Sequence, residues 1–203
     1  MTVRNRRRKE ARPEEITEAA LRAFAEKGYA DTRLDDVARS AGISKGTIYL
    51  YFPSKDELFK AVVRRSVVPL LEALQARLER LEGSTEQFLR QELKGLLRSV
   101  LETDARHVVR LIVSEGHRFP DLTEFYFREV VRRGLESLQG ILARGEERGE
   151  FRPTGLKDAP QLLLAPALMA LLWKSTFEAY RPLDLEHFLD THIDILMDGL
   201  RPL

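Results

Sequence analysis

Apolar residues recur at a helical period along almost the whole chain, and no stretch keeps the strict two-residue alternation of a half-buried strand. This pattern points to an all-α fold of about nine helices. Helix starts are signalled by a capping residue followed three positions later by an acid or amide: Thr32 with Asp35, Ser54 with Glu57, Ser84 with Gln87, Asp121 with Glu124, and Asp158 with Gln161. Gly28, Gly83 and Gly149, with Pro53 and Pro182, mark stops. The expected helices run over 13–27, 33–41 and 45–52, then from Ser54 to Gly83 with a kink at Pro69, and on over 84–101, 105–115, 121–147, 158–180 and 185–200.

A chain of 203 residues, 43% hydrophobic and 32% charged, is apolar enough to bury a core and long enough for a small domain joined to a larger one. The absence of Cys excludes disulfides, zinc–thiolate centres and thiol catalysis. The longest apolar run, 162–173, falls short of the ~18 residues a spanning helix needs, and Pro166 interrupts it. No apolar signal core follows the basic N-terminus, so the expected location is the cytoplasm, away from membranes.

The net charge of +1 conceals an asymmetry. Arg4, Arg6, Arg7, Arg8, Lys9 and Arg12 face a single acid, Glu10, within the first thirteen residues, while the rest of the chain is slightly acidic. A short cationic arm of this kind suits phosphates or a minor groove.

The informative stretch is Leu34 to Lys55, LDDVARSAGISKGTIYLYFPSK. Two short helices meet at a turn built on Gly42, which is the sequence form of a helix-turn-helix. In such a unit the second helix enters the major groove N-terminus first. Ile48 and Phe52, four apart, are expected to face the core. That leaves Lys45, Thr47, Tyr49 and Tyr51 for the DNA side or its margins. Lys45 suits guanine O6 and N7, the Thr47 methyl suits a thymine methyl, and Gly46 lets the backbone come close. Tyr51 and Lys55 are placed to reach phosphates, which fix register without reading sequence.

The stretch GYADTRLDDVARSAGISKGTIYLYFPSKDELF resembles the DNA-binding domain of the tetracycline-repressor (TetR) family, closely so from Glu14 to Phe59. The resemblance implies a helix-turn-helix DNA-binding domain over residues 1–55 and a helical effector-binding and dimerisation domain over 56–203. It implies a homodimer joined through the last two helices, bound to a near-palindromic operator in double-stranded DNA and released by a small-molecule effector. It gives base-side roles to Lys45, Gly46, Thr47 and Tyr49, and phosphate roles to Ser44, Tyr51, Lys55, Thr32 and Arg33. Two positions depart from the family pattern: Leu50 stands where a His or Tyr is common, and Arg33 where a small hydroxyl residue is common.

The body carries aromatic and polar groups suited to a ligand cavity: His107, Arg110, Glu115, His117, Phe119, Phe125, Tyr126, Trp173, Phe177 and Tyr180. Leu, Phe and Trp linings favour a hydrophobic or amphipathic effector, such as a fatty acyl or aromatic compound. His187, Asp190 and Asp194 share a helical face, but a solvated polar face accounts for them better than a metal site. With no nucleophile elbow, phosphate-binding glycine loop or zinc helix motif, no enzyme, metal or cofactor is expected. The alternative reading is a regulator of the same fold that works with a protein partner and needs no small ligand.

Overall fold

The structure, a computed structural model, describes residues 12–202. Residues 4–9 of the cationic arm lie outside the described residues. Those described form eleven α-helical segments and no strand. Two of the nine expected helices are each divided in two, which accounts for the difference. The chain forms two compact units, one containing residues up to Ser66 together with His107–Tyr126, the other Val67–Arg106 together with the chain from Phe127 onward.

The first unit begins with α1 (Arg12–Asp31), whose first turn carries Glu14 and Glu15 at the positive end of the helix dipole. Ile16, Ala19, Ala20, Ala23 and Phe24 repeat at helical spacing and are all buried. Helical geometry stops at Gly28, with φ 78° and ψ 173°, a conformation glycine adopts without strain. α2 (Leu34–Ser40) buries Leu34, Val37 and Ala38. Gly42, at φ 65°, turns the chain, and the Ile43 N–H returns to the Ala38 carbonyl at 3.0 Å, closing the end of α2. α3 (Lys45–Tyr49) is capped by Ser44, whose Oγ accepts the Thr47 N–H at 3.2 Å. Ser54 caps α4 (Lys55–Ser66) by accepting the Glu57 N–H at 3.1 Å.

The expected fourth helix does not continue through Pro69. The helix is interrupted at Val67, and α5 (Val68–Glu79) restarts with Pro69 in its first turn, where a missing N–H leaves no bond unmade. The remaining pieces of the first unit are the later part of α7 (Ala105–Glu115) and α8 (Pro120–Tyr126). Phe24, Tyr29, Phe59 and Phe119 form one aromatic cluster, with ring centroids 4.7–5.6 Å apart.

The second unit is built on α5, α6 (Thr85–Glu102), α9 (Arg133–Glu147), α10 (Ala165–Thr176) and α11 (Leu185–Leu200). Leu89, Leu93, Leu97 and Leu101 run down one face of α6 and are buried with Leu74, Leu138, Ile141 and Leu142. A second face of α6 bears Arg90, Lys94 and Arg98, which pair with Asp194, Asp190 and Glu186 of α11 in an antiparallel ladder. Asp190 and Asp194 are thus ion-paired, and among the described residues no cluster of His, Asp and Glu could hold a metal.

Two expectations need correction here. The helix expected over 121–147 is interrupted by a π-helical stretch, Phe127–Arg132, which no Pro or Gly marks in the sequence. The helix expected over 158–180 is shorter. Leu156–Asp158 and Pro160–Leu163 are tight 3₁₀ turns, and α10 starts only at Ala165, one residue before Pro166. The proline ring excludes an α-helical carbonyl four residues before it, so a regular helix can begin beside Pro166 but not pass through it.

Candidate nucleic-acid interface

α3 is fixed from one side only. Ile48 is wholly buried, while Tyr49 is 50% exposed and Leu50, just past the helix end, is 81% exposed. Ser44, Lys45 and Gly46 are exposed, and Thr47, Tyr51 and Phe52 are half-buried. Phe52 thus meets the core less completely than its spacing from Ile48 suggests. The Ser44 and Thr47 hydroxyls lie 2.8 Å apart and share a hydrogen bond. The Lys45 ammonium donates to Asp35 Oδ2 at 2.8 Å, and this bond raises its pKa. A Cβ placed on Gly46 would approach nothing closer than Ser44 Oγ at 3.8 Å. Arg33 is exposed at the start of α2, its N–H donating to Asp36 Oδ2 at 3.3 Å.

Thr32 and Lys55 behave differently from expectation. Thr32 is buried, and its hydroxyl donates to the carbonyls of Gly28 at 2.6 Å and Ala23 at 3.1 Å. Its hydroxyl is therefore spent inside the protein, and Thr32 is no cap for α2. The Lys55 ammonium donates to three carbonyls, those of Tyr29 at 2.8 Å and of Ala30 and Thr32 at 3.1 Å each. An ammonium has three donors, so none remains for a phosphate. It also lies 4.4 Å from the centre of the Tyr29 ring, and burial lowers its pKa. Both side chains shape the α1–α2 corner.

The residues expected to line a ligand cavity are divided. His107, Arg110, His117, Phe119, Phe125 and Tyr126 belong to the first unit, and Trp173 and Phe177 to the second. Arg110 Nη2 donates to the Ala25 carbonyl at 2.6 Å. Phe119 meets the Tyr29 ring edge-on at 4.7 Å, and the Arg64 guanidinium lies 4.9 Å from the centre of the Phe125 ring. Arg110, Phe119 and Phe125 thus pack the first unit, and Tyr126 is buried, which pushes its hydroxyl pKa up. His117 is exposed. Trp173 lies 5.3 Å from Phe177, centroid to centroid, and its Nε1 donates to the Arg181 carbonyl at 2.8 Å. Glu115, expected in the same cavity, accepts the N–H groups of Tyr29 and Ala30 within the first unit, and Tyr180 is exposed.

Two short helices joined at a glycine turn, the second presenting Lys45, Gly46 and Tyr49 outward, define a helix-turn-helix nucleic-acid-binding protein. Residues 16–62 match the family model described as bacterial regulatory proteins, tetR family, and residues 81–191 match that of a tetracyclin repressor-like C-terminal domain. The chain belongs to the TetR family of DNA-binding transcriptional regulators. It is similar to the HTH-type transcriptional repressor KstR2 of Mycolicibacterium smegmatis, with 28% identity over 195 residues, 94% of this chain and 91% of that repressor. Among solved structures it resembles FadR from Bacillus subtilis in complex with stearoyl-CoA, at a TM-score of 0.77 and 20% identity over 92% of this chain and 98% of that one. It also resembles PfmR, a TetR family transcriptional regulator from Thermus thermophilus, at a TM-score of 0.69 and 26% identity over 92% and 99% of the two chains.

Proposed function

We infer that the protein is a homodimeric repressor, cytoplasmic and without catalytic activity, that holds a near-palindromic operator through α3. A small hydrophobic or amphipathic compound, of fatty acyl or aromatic character, releases it. Gly46 carries the reading of the interface. Glycine weakens a helix by ~1 kcal/mol relative to alanine, and at this position neither a positive φ nor a neighbouring atom calls for it. A close approach from outside the protein supplies the reason, and Lys45, Thr47 and Tyr49 beside it offer a cation, a methyl with a hydroxyl, and an aromatic edge to a major groove. Ser44, Tyr51 and Arg33 flank them on the phosphate side.

Dimerisation through α10 and α11 is supported by the faces these helices leave open. Leu168, Met169 and Leu172 stand at helical spacing on α10 and are each 43–51% exposed. The core face of α11 and its ladder of acids are occupied, while Phe188, Thr191 and Ile195 line an open groove with Pro166 and Leu183. An apolar patch of this kind marks an association surface. The effector class is supported by Trp173 and Phe177 and by the stearoyl-CoA bound to the related fold of FadR.

Selection from a random duplex library tests the reading. A two-fold symmetric sequence bound by two copies of the chain is the expected result, with stearoyl-CoA the first compound to titrate against the complex. Binding to all duplexes alike would defeat the operator assignment, and a Leu172→Glu variant that remains dimeric in sedimentation would move the dimer seam elsewhere.

A further inference from the structure

The α1–α2 corner is gripped by two charges of opposite sign. Glu115, the last residue of α7, presents Oε1 to the Tyr29 N–H at 3.0 Å and Oε2 to the Ala30 N–H at 2.9 Å. Lys55 takes the carbonyls of Tyr29, Ala30 and Thr32. The backbone donors and acceptors of one short segment are thus satisfied by a carboxylate and an ammonium. The carboxylate comes from 85 residues beyond Ala30 and from outside the 16–62 stretch that carries the family's DNA-binding signature. The local chain is fitted to receive it. Gly28 sits at φ 78°, and a Cβ there would collide with Glu115 Oε1. Arg110, on the same helix, holds the Ala25 carbonyl at the end of α1, and Phe119 closes on the Tyr29 ring.

We propose that Glu115 is a positioning residue of the DNA-binding head. It fixes the α1–α2 corner, and through it the start of α2 and the recognition helix that follows, so α3 is presented correctly only while the end of α7 keeps its carboxylate seated. The inference rests on the reading of the chain as an operator-binding regulator. A carboxylate that accepts two adjacent N–H groups makes charge-assisted bonds. Removing it strands two part-buried donors, and the corner opens to satisfy them from water.

The full-length protein is tested as Glu115→Ala and Glu115→Gln, with Val113→Ala, at an exposed position of the same helix, as the control. The readouts are affinity for the selected operator and hydrogen exchange at the Tyr29 and Ala30 amides. In Glu115→Ala, operator affinity falls by about tenfold or more, and exchange at both amides rises by a similar factor. Glu115→Gln keeps one acceptor oxygen and falls between wild type and Ala. It also carries the test if the Ala variant does not fold. Val113→Ala matches wild type. Unchanged affinity and exchange in the folded Glu115 variants would overturn the assignment, as would an equal loss in Val113→Ala. A wild-type protein that selects no operator would defeat the regulator reading instead, and amide exchange, which needs no DNA, would still decide the grip.

Discussion

Lys45 Nζ and Asp35 Oδ2 lie 2.8 Å apart, so the first side chain of the recognition helix is tethered to the helix before it. Both groups are roughly half-exposed. An exposed pair of this kind is held weakly and screened by salt. On the proposed interface, Lys45 must leave Asp35 to meet a base edge, and Asp35 places a negative charge beside the phosphates. Asp35→Asn should therefore tighten DNA binding by about two- to fivefold at low salt. Titration across salt checks this: the gain should shrink as ionic strength rises, and a loss of affinity would mean that Asp35 orients Lys45 for readout.

Lys55 leads to the opposite expectation. Its three donors are committed to backbone carbonyls, so Lys55→Met should cost about 2 kcal/mol of folding stability. The slope of log affinity against log salt should stay that of wild type, because no phosphate contact is removed. A slope shallower by about one, with unchanged stability, would restore the phosphate role that the family resemblance implies.

The contrast between these two lysines shows how far the sequence could be read. Some helix ends written by short-range chemistry came through: Ser44 and Ser54 cap as expected, and Gly28 and Gly42 turn the chain where expected, whereas Thr32 and Asp158 do not open the helices they signal. The exposure of Lys45 and Tyr49 also followed from their spacing against Ile48, whereas Thr47 and Tyr51, placed outward by the same spacing, are half-buried. What stayed hidden depends on residues distant in sequence. Nothing near Lys55 tells that the carbonyls of Tyr29, Ala30 and Thr32 will surround it, and nothing near Glu115 tells that it ends beside Gly28. Pro166 stands in the sequence, but apolar residues on both sides of it fit a single helix, and only the fold shows that α10 starts beside it. The π-helical turn at Phe127–Arg132 has no sequence marker.

Glu150 joins the chain beyond α9 to the start of α6 in the second unit. Its carboxylate accepts the N–H groups of Thr85 at 2.7 Å and Glu86 at 3.2 Å, the hydroxyls of Ser84 and Thr85, and Arg148 Nε at 2.7 Å. It closes the N-terminus of α6. Burial alone would raise its pKa, but the bonds from Ser84, Arg148, Glu86 and Thr85 outweigh burial and bring it down to about 2. In the unfolded chain a glutamate titrates near ~4.3. The folded state therefore binds the proton less readily, and the stability this group contributes is fully present above about pH 4.3. It drains as pH falls from there through about 2. Denaturant melts at stepped pH should show wild type losing stability over this window more steeply than Glu150→Gln. Parallel curves would mean that the carboxylate gains nothing from the helix end.

Gly46 separates the demands of folding from those of recognition. It lies inside a five-residue helix at negative φ, and a Cβ there would meet only Ser44 Oγ, at an unstrained 3.8 Å. Alanine loses less backbone entropy than glycine in a helix, so Gly46→Ala should raise stability, by up to about 1 kcal/mol. The same methyl would project from the exposed surface of α3, the face proposed to meet DNA, where it would hold the backbone away from the groove. Operator affinity should therefore fall, by about tenfold for a steric loss at one base step. The two effects have opposite signs and are read separately, by thermal melting of the free protein and by titration of the selected duplex. A variant that is both more stable and equally tight on DNA would show that nothing approaches α3 closely at Gly46, and the interface would have to be sought on another face of the first unit.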